Sequence, residues 1–293
     1  MVVFHPGAGH SSGLSVGAVT FAFMTTHSKP LTVLLTDPVG ESLGLSLPPG
    51  SLVTETNDGP WPEPLLWRAD EVASPGTWAK YLSAREAGLQ PVLLQDESGV
   101  EEWWDGELCP GMMSDPGDHH AEEVLMDFWE SAASESEEDA GGTLAPFTGG
   151  WPGLASPGRA AADPATTAAD VAGGLVGHWL KSPRPALVPV GRTADIPAAI
   201  GWSGPVNYEN DVARLCAVLR SWEDRFGVRV VALSYARLDL SVAAPPQTLD
   251  EALAVAAEHF AFCPDNIWQG YESIRLYAEE ALLGNAHWTF WWD

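Results

Sequence analysis

The sequence predicts an α+β protein of two domains, the C-terminal one a mainly antiparallel sheet with helices on one face, in a split β-α-β-like order. Three observations predict it. At 293 residues the chain exceeds the size that one hydrophobic core usually serves. Its 45% hydrophobic and 10% aromatic residues are those of a folded chain rather than a disordered one. The C-terminal third reads strand, helix, strand, strand, helix, helix, strand, an order that suits helices packed on one side of a sheet.

Residues 1–30 are rich in Gly, Ser, Thr and His without a clean period, and read as a loosely ordered tail. Within them "HPGAGHSSG" lacks the Gly-Lys-Ser/Thr ending of a phosphate loop, and Gly7, Gly9 and Gly13 miss the dinucleotide spacing. An N-terminal α/β domain spans 31–133. There "LTVLL" and "PVLLQ" are short apolar runs of the kind that form buried strands. Between them "SPGTWAKYLSAREAG" predicts a helix, with Pro75 near its start, Trp78, Tyr81 and Leu82 on one face, and Gly88 as its stop. After "SDPGDHH", a second helix carries Ala121, Leu125, Phe128, Trp129 and Ala132 as an apolar stripe. Glu122, Glu123, Asp127 and Glu130 occupy its other faces.

Residues 134–185 read as an acidic and Pro/Gly-rich linker plus a helix. Asp163-Pro164 opens that helix as cap and first-turn proline, and Gly173, Gly174 and Gly177 weaken its end near Leu180. The C-terminal α+β domain, 186–293, begins with the strand "ALVPV". Val212, Leu215, Cys216, Leu219, Trp222 and Phe226 then recur at three- and four-residue steps over a helix that Gly227 ends. "VRVVALSYARLDLSVA" divides into two strands that turn near Ala236. Thr248 and Glu251 form a capping box before Leu249, Leu253, Ala256 and Phe260. A short helix over 272–283 stops at Gly284. The closing "HWTFWW", aromatic on both faces, is expected inside the sheet or under the first domain.

Fourteen Lys and Arg against forty Asp and Glu give a formal net charge of −26. Nucleic-acid binding needs a basic footprint, and anionic lipid repels such a chain; neither is expected as a partner. An acidic surface steers basic proteins instead. Cys109, Cys216 and Cys263 include no CxxC pair, so neither a disulfide framework nor a zinc ribbon is indicated. The longest N-terminal apolar run, "LSVGAVTFAFM", is too short to span a bilayer, and no basic segment precedes it. A cytoplasmic location is expected.

Two stretches carry candidate chemistry. In "AEHFAFCPDNIWQG", His259 and Cys263 lie four residues apart on one helix face, and Asp265, Asn266 and Trp268 follow. Two ligands do not complete a metal site, and a nucleophilic cysteine needs an electropositive setting. The competing reading is a helix ended by Pro264, a buried Cys263, and Asp265 or Asn266 capping the next turn. In "VEEWWDGEL", Glu101, Glu102, Trp103, Trp104 and Asp105 combine acids with indoles. This suits either a contact surface for a basic partner or a hairpin turning at Asp105-Gly106. "DPGDHHAEE" sets His119 and Glu123 at helical spacing but does not match HExxH, and acids in a first helical turn need no ligand. No nucleophile elbow or kinase signature is present, and neither a metal nor a cofactor is expected.

The stretches "VLRSWEDRFGVRVVAL", "LSVAAPPQTLDEALAVAAEHFAFCPDNIWQG" and "WTFWWD" resemble the bacterial family called domain of unknown function 4253. The resemblance covers the second domain nearly end to end, and "WWDGEL" and "HHAEEVLMDFW" look like the region often found before it. It implies relatives among bacteria, and no activity, cofactor or catalytic residue. The function expected is therefore a non-enzymatic acidic protein-binding module, immunity- or inhibitor-like in its sharper form. The alternative is an enzyme or small-ligand binder with a pocket near His259, Asp265 and Trp268.

Overall fold

The structure, a computed structural model, describes residues 29–97, 102–135, 140–147 and 150–293. The N-terminal tail up to residue 28, part of the acidic linker, and Glu101 lie outside the described residues. Among the described residues nine strands run in chain order: β1 (Gly50–Val53), β2 (Glu55–Thr56), β3 (Gly59–Pro60), β4 (Leu66–Ala69), β5 (Gln90–Leu94), β6 (Arg184–Val188), β7 (Arg229–Leu233), β8 (Arg237–Ser241) and β9 (His287–Trp291). β2 and β3 form a small ribbon, and the other seven make one sheet in the order β1-β4-β6-β5-β7-β8-β9. Every neighbouring pair in it is antiparallel except β5–β7. The fold is α+β, as the sequence predicts.

Four long helices flank the sheet: α1 (Ala121–Glu135), α2 (Pro164–Leu175), α3 (Val212–Phe226) and α4 (Leu249–Phe262). Their local signals hold. Asp163 accepts hydrogen bonds from the Ala165 and Thr166 N–H groups at the start of α2, and Thr248 and Glu251 close the capping box of α4. All six stripe residues of α3 are buried, and Gly227 ends that helix at φ 64°, a left-handed value that glycine adopts without Cβ strain. Helices α1, α3 and α4 pack together on one face of the sheet over the main core. Helix α2 covers β7 and β8 on the other, where Ala168, Ala172 and Leu175 meet Leu93 and Val231.

The segments 31–133 and 186–293 share this sheet rather than dividing it. β5, from the first, lies between β6 and β7 of the second, pairing antiparallel with β6 and parallel with β7. This is what splits the β-α-β unit: α3 crosses from β6 to β7 over a strand supplied from elsewhere in the chain. All five residues of β5 are buried, as a central strand requires.

Three sequence expectations differ from the structure. "LTVLL" forms a helical turn, Pro30–Val33, instead of a strand. Pro30 presets the first turn, and Leu31 and Leu34 bury one helical face near Trp67 and Leu187. The helix expected over "SPGTWAKYLSAREAG" is two short pieces, Thr77–Lys80 and a 3-10 turn Leu82–Ala87. β9 lies at the edge of the sheet rather than inside it. Trp288 and Phe290 face the core while His287, Thr289 and Trp291 are half-buried.

Candidate functional site

Edge strands expose a row of backbone groups that must be covered. In β9 that cover comes from "CPDN". Helix α4 ends at Phe262, and Pro264 starts the short helix Asp265–Trp268 beside the free edge. The Asn266 amide donates to the Thr289 carbonyl at 2.7 Å and accepts from the Trp291 N–H at 3.4 Å, imitating a neighbouring strand. The Cys263 thiol donates to the Trp291 carbonyl at 3.0 Å, and the Asp293 N–H donates to Asp265 at 3.2 Å. Trp268 is half-buried, edge-on to Phe260.

His259 is fully buried among Trp222, Trp288 and Phe290, with ring centroids 4.5–4.8 Å away. Its Nδ1 lies 2.9 Å from the Tyr277 hydroxyl, which accepts from Asn266 Nδ2 at 3.3 Å. His259 Nε2 has no hydrogen-bond partner among the described residues. Burial, aided by the Arg225 charge, holds the His259 pKa well below its ordinary value. Burial also raises the Cys263 thiol far above the ordinary range, which opposes thiolate formation. Residues 257–270 thus act as a fastening for the C-terminal strand. No group of three or more His, Cys, Asp or Glu among the described residues is placed to hold a metal ion.

Residues 184–293 match the model of the family Domain of unknown function (DUF4253). Comparison with curated proteins gives no match, and neither does comparison with solved structures. The DUF4253 segment contains the whole fastening, but not β5, the strand that joins its β6 to its β7.

Beside the fastening the DUF4253 segment buries Glu258, which sequence reading missed. Its carboxylate accepts from Arg225 Nη1 and Nη2 at 2.7 and 2.6 Å, from Trp222 Nε1 at 2.7 Å, and from the Ala155 N–H at 2.6 Å. Arg225 also donates to the Ala155 carbonyl at 2.9 Å. One ion pair thereby holds both backbone polar groups of one linker residue, Ala155. Gly158 continues the linker across the helix end, where a Cβ would overlap the Ala244 carbonyl oxygen. The available signal was a lone acid in the apolar last turns of α4, a position a carboxylate occupies only when paired.

A second missed group is cross-strand. The His287 Nε2 lies 2.9 Å from Asp239 Oδ1, and Arg237 holds the same carboxylate at 2.8 Å. Burial opposes the Asp239 charge, but the His287 hydrogen bond and the Arg237 guanidinium outweigh it and lower the pKa. His287 lines a cavity of about 250 Å³ along the free edge of β9, together with Asn266, Tyr271, Tyr277, Glu280 and Trp291. Neither His259, Asp265 nor Trp268 lines it.

The acidic-aromatic stretch is divided by burial. Trp103 and Trp104 sit in a 3-10 turn, Trp103–Asp105, not a hairpin, and are 2% and 0% exposed, edge-on to each other in the main core. Glu102 and Asp105 remain exposed, with Arg184 and Arg68 at 3.8 and 3.9 Å. His119 is occupied by the Ser114 hydroxyl at 2.6 Å, with Asp211 at 3.8 Å. No helix among the described residues is long and apolar enough to cross a membrane.

Proposed function

We propose that this protein is a non-enzymatic binding module of the bacterial cytoplasm that docks a basic protein partner, in the manner of an immunity or inhibitor protein. One observation carries this reading: the fate of the cations. Ten of the fourteen Lys and Arg lie within ion-pair distance of a carboxylate of the same chain. The acidic excess is therefore left to solvent. The outer face of α1 is an example, with Glu122, Glu123, Asp127 and Glu130 exposed, of which only Asp127 faces a cation among the described residues, Arg214. Such a surface speeds encounter with a basic protein and repels acidic ones.

Capture of proteins from native lysate over a salt series tests the reading. The captured proteins are expected to be basic and to be lost steeply as salt shortens the ~10 Å screening length at 0.1 M. The triple variant Glu122→Lys, Glu123→Lys, Glu130→Lys is expected to slow association. Capture that ignores salt, or that shows no bias towards basic proteins, refutes the proposal.

A further inference from the structure

We propose that the cavity along the free edge of β9 is a binding site for an organic cation, an alkylammonium or guanidinium group. Its lining contains one carboxylate, Glu280, and no lysine or arginine. Tyr271 and Trp291, both half-buried, supply aromatic surface, and cations are attracted to ring faces. Glu280 is exposed and faces no cation within ion-pair distance among the described residues, so its charge is available.

Two further polar groups line the same space. His287 is held through Nε2, 2.9 Å from Asp239 Oδ1, which leaves its other ring nitrogen, Nδ1, outside that contact. The Thr289 hydroxyl oxygen is buried and without a hydrogen-bond partner among the described residues.

Size restricts the occupant. A volume of about 250 Å³ falls below the roughly 300–1,000 Å³ of sites for drug-sized ligands. One amine- or guanidine-bearing group fits, from a free metabolite or from a basic side chain of another protein. The net charge of −26 raises the local concentration of either.

Calorimetry and tryptophan-indole NMR on the full chain test this with N-acetyl-lysine-N-methylamide against its uncharged norleucine counterpart. The lysine compound is expected to bind saturably, and the norleucine compound at least about tenfold more weakly. Glu280→Gln and Tyr271→Ala are each expected to weaken binding by about tenfold, with thermal unfolding of the exposed Glu280→Gln variant unchanged. Methylguanidinium and a blocked tripeptide with central arginine separate the sources. Tighter binding of the tripeptide assigns the site to a protein side chain, and binding of methylguanidinium alone assigns it to a small molecule. Equal binding of the lysine and norleucine compounds, no binding of any cation, or indifference to Glu280→Gln overturns the proposal. Salt-sensitive capture of basic proteins that survives such a result leaves the acidic-surface reading standing. Its loss alongside intact cation binding removes only that reading.

Discussion

Replacing Glu258 by glutamine keeps the side chain's shape and removes its charge. The native carboxylate accepts four hydrogen bonds, two from Arg225 and one each from Trp222 and Ala155. Glutamine offers one oxygen to those donors and turns an N–H₂ against the rest. Arg225, whose side chain is 12% exposed, is left with its charge poorly solvated and unpaired. Removing one member of a buried ion pair costs about 3–5 kcal/mol, which for a chain of this size corresponds to a fall in Tm of roughly 5–8 °C. Urea unfolding followed by tryptophan fluorescence measures it. Arg225→Met tests the other half, and Glu258→Gln combined with Arg225→Met is expected to cost less than the sum of the two, because the second change removes the charge that the first orphaned. Amide exchange at Ala155 and Gly158 should accelerate together in Glu258→Gln, since the pair anchors that linker. A loss below about 1 kcal/mol for Glu258→Gln, the net worth of an ordinary hydrogen bond, or strict additivity of the two single changes, refutes the reasoning.

Four other outcomes are expected. Asn266→Ala orphans the Thr289 carbonyl and Trp291 N–H at about 1–3 kcal/mol for each buried group, read as lower urea stability and faster exchange of the Trp291 amide; unchanged exchange there sinks the fastening. His259 has a folded pKa below its ordinary 6.5, so the unfolded chain takes up a proton that the folded chain refuses as pH falls through that value. Its contribution is complete above that pH and is lost below it, at about 1.4 kcal/mol per pH unit relative to a His259→Asn variant; parallel stability profiles for the two proteins contradict this. Cys216 and Cys263 are fully buried and the Cys109 thiol is pushed up to about 11 by burial and by Asp58, so native protein should give at most one slow reaction with a thiol reagent near neutral pH, and three after denaturation. A fragment of residues 184–293 lacks β5, so it should show the broad, non-cooperative unfolding of an unpaired sheet; a sharp thermal transition in that fragment counts against the shared-sheet account.

Much of the local structure was legible. The stripe from Val212 to Phe226, the Thr248–Glu251 box and the Asp163-Pro164 cap each act within a few residues, and periodicity and capping depend on such separations. β1 and β4 were missed, being four residues each and separated by a proline-rich ribbon that breaks any pattern. The conspicuous residues of "AEHFAFCPDNIWQG" were visible, but their task was not. Asn266 acts on Thr289 and Trp291, more than twenty positions away, and spacing along a helix carries no information about that partner. His287 drew no attention because its partner Asp239 lies on another strand, brought opposite by the register of β8 and β9.

By itself, then, the sequence determined the α+β class, the four long helices with the caps of α2 and α4 and the glycine stop of α3, the two-strand run around Ala236, and the acidic excess of −26. These follow from near-neighbour sterics and from counting charges, which need no partner in space. Tertiary structure alone decided that β5 enters between β6 and β7, that β9 stands at an edge needing cover, that Glu258 and His259 are enclosed, and that a cavity opens beside Glu280 and His287. Each of these depends on pairing and packing between residues far apart in the chain. There the burial of one surface sets whether a carboxylate or an imidazole is a structural tie or an accessible group.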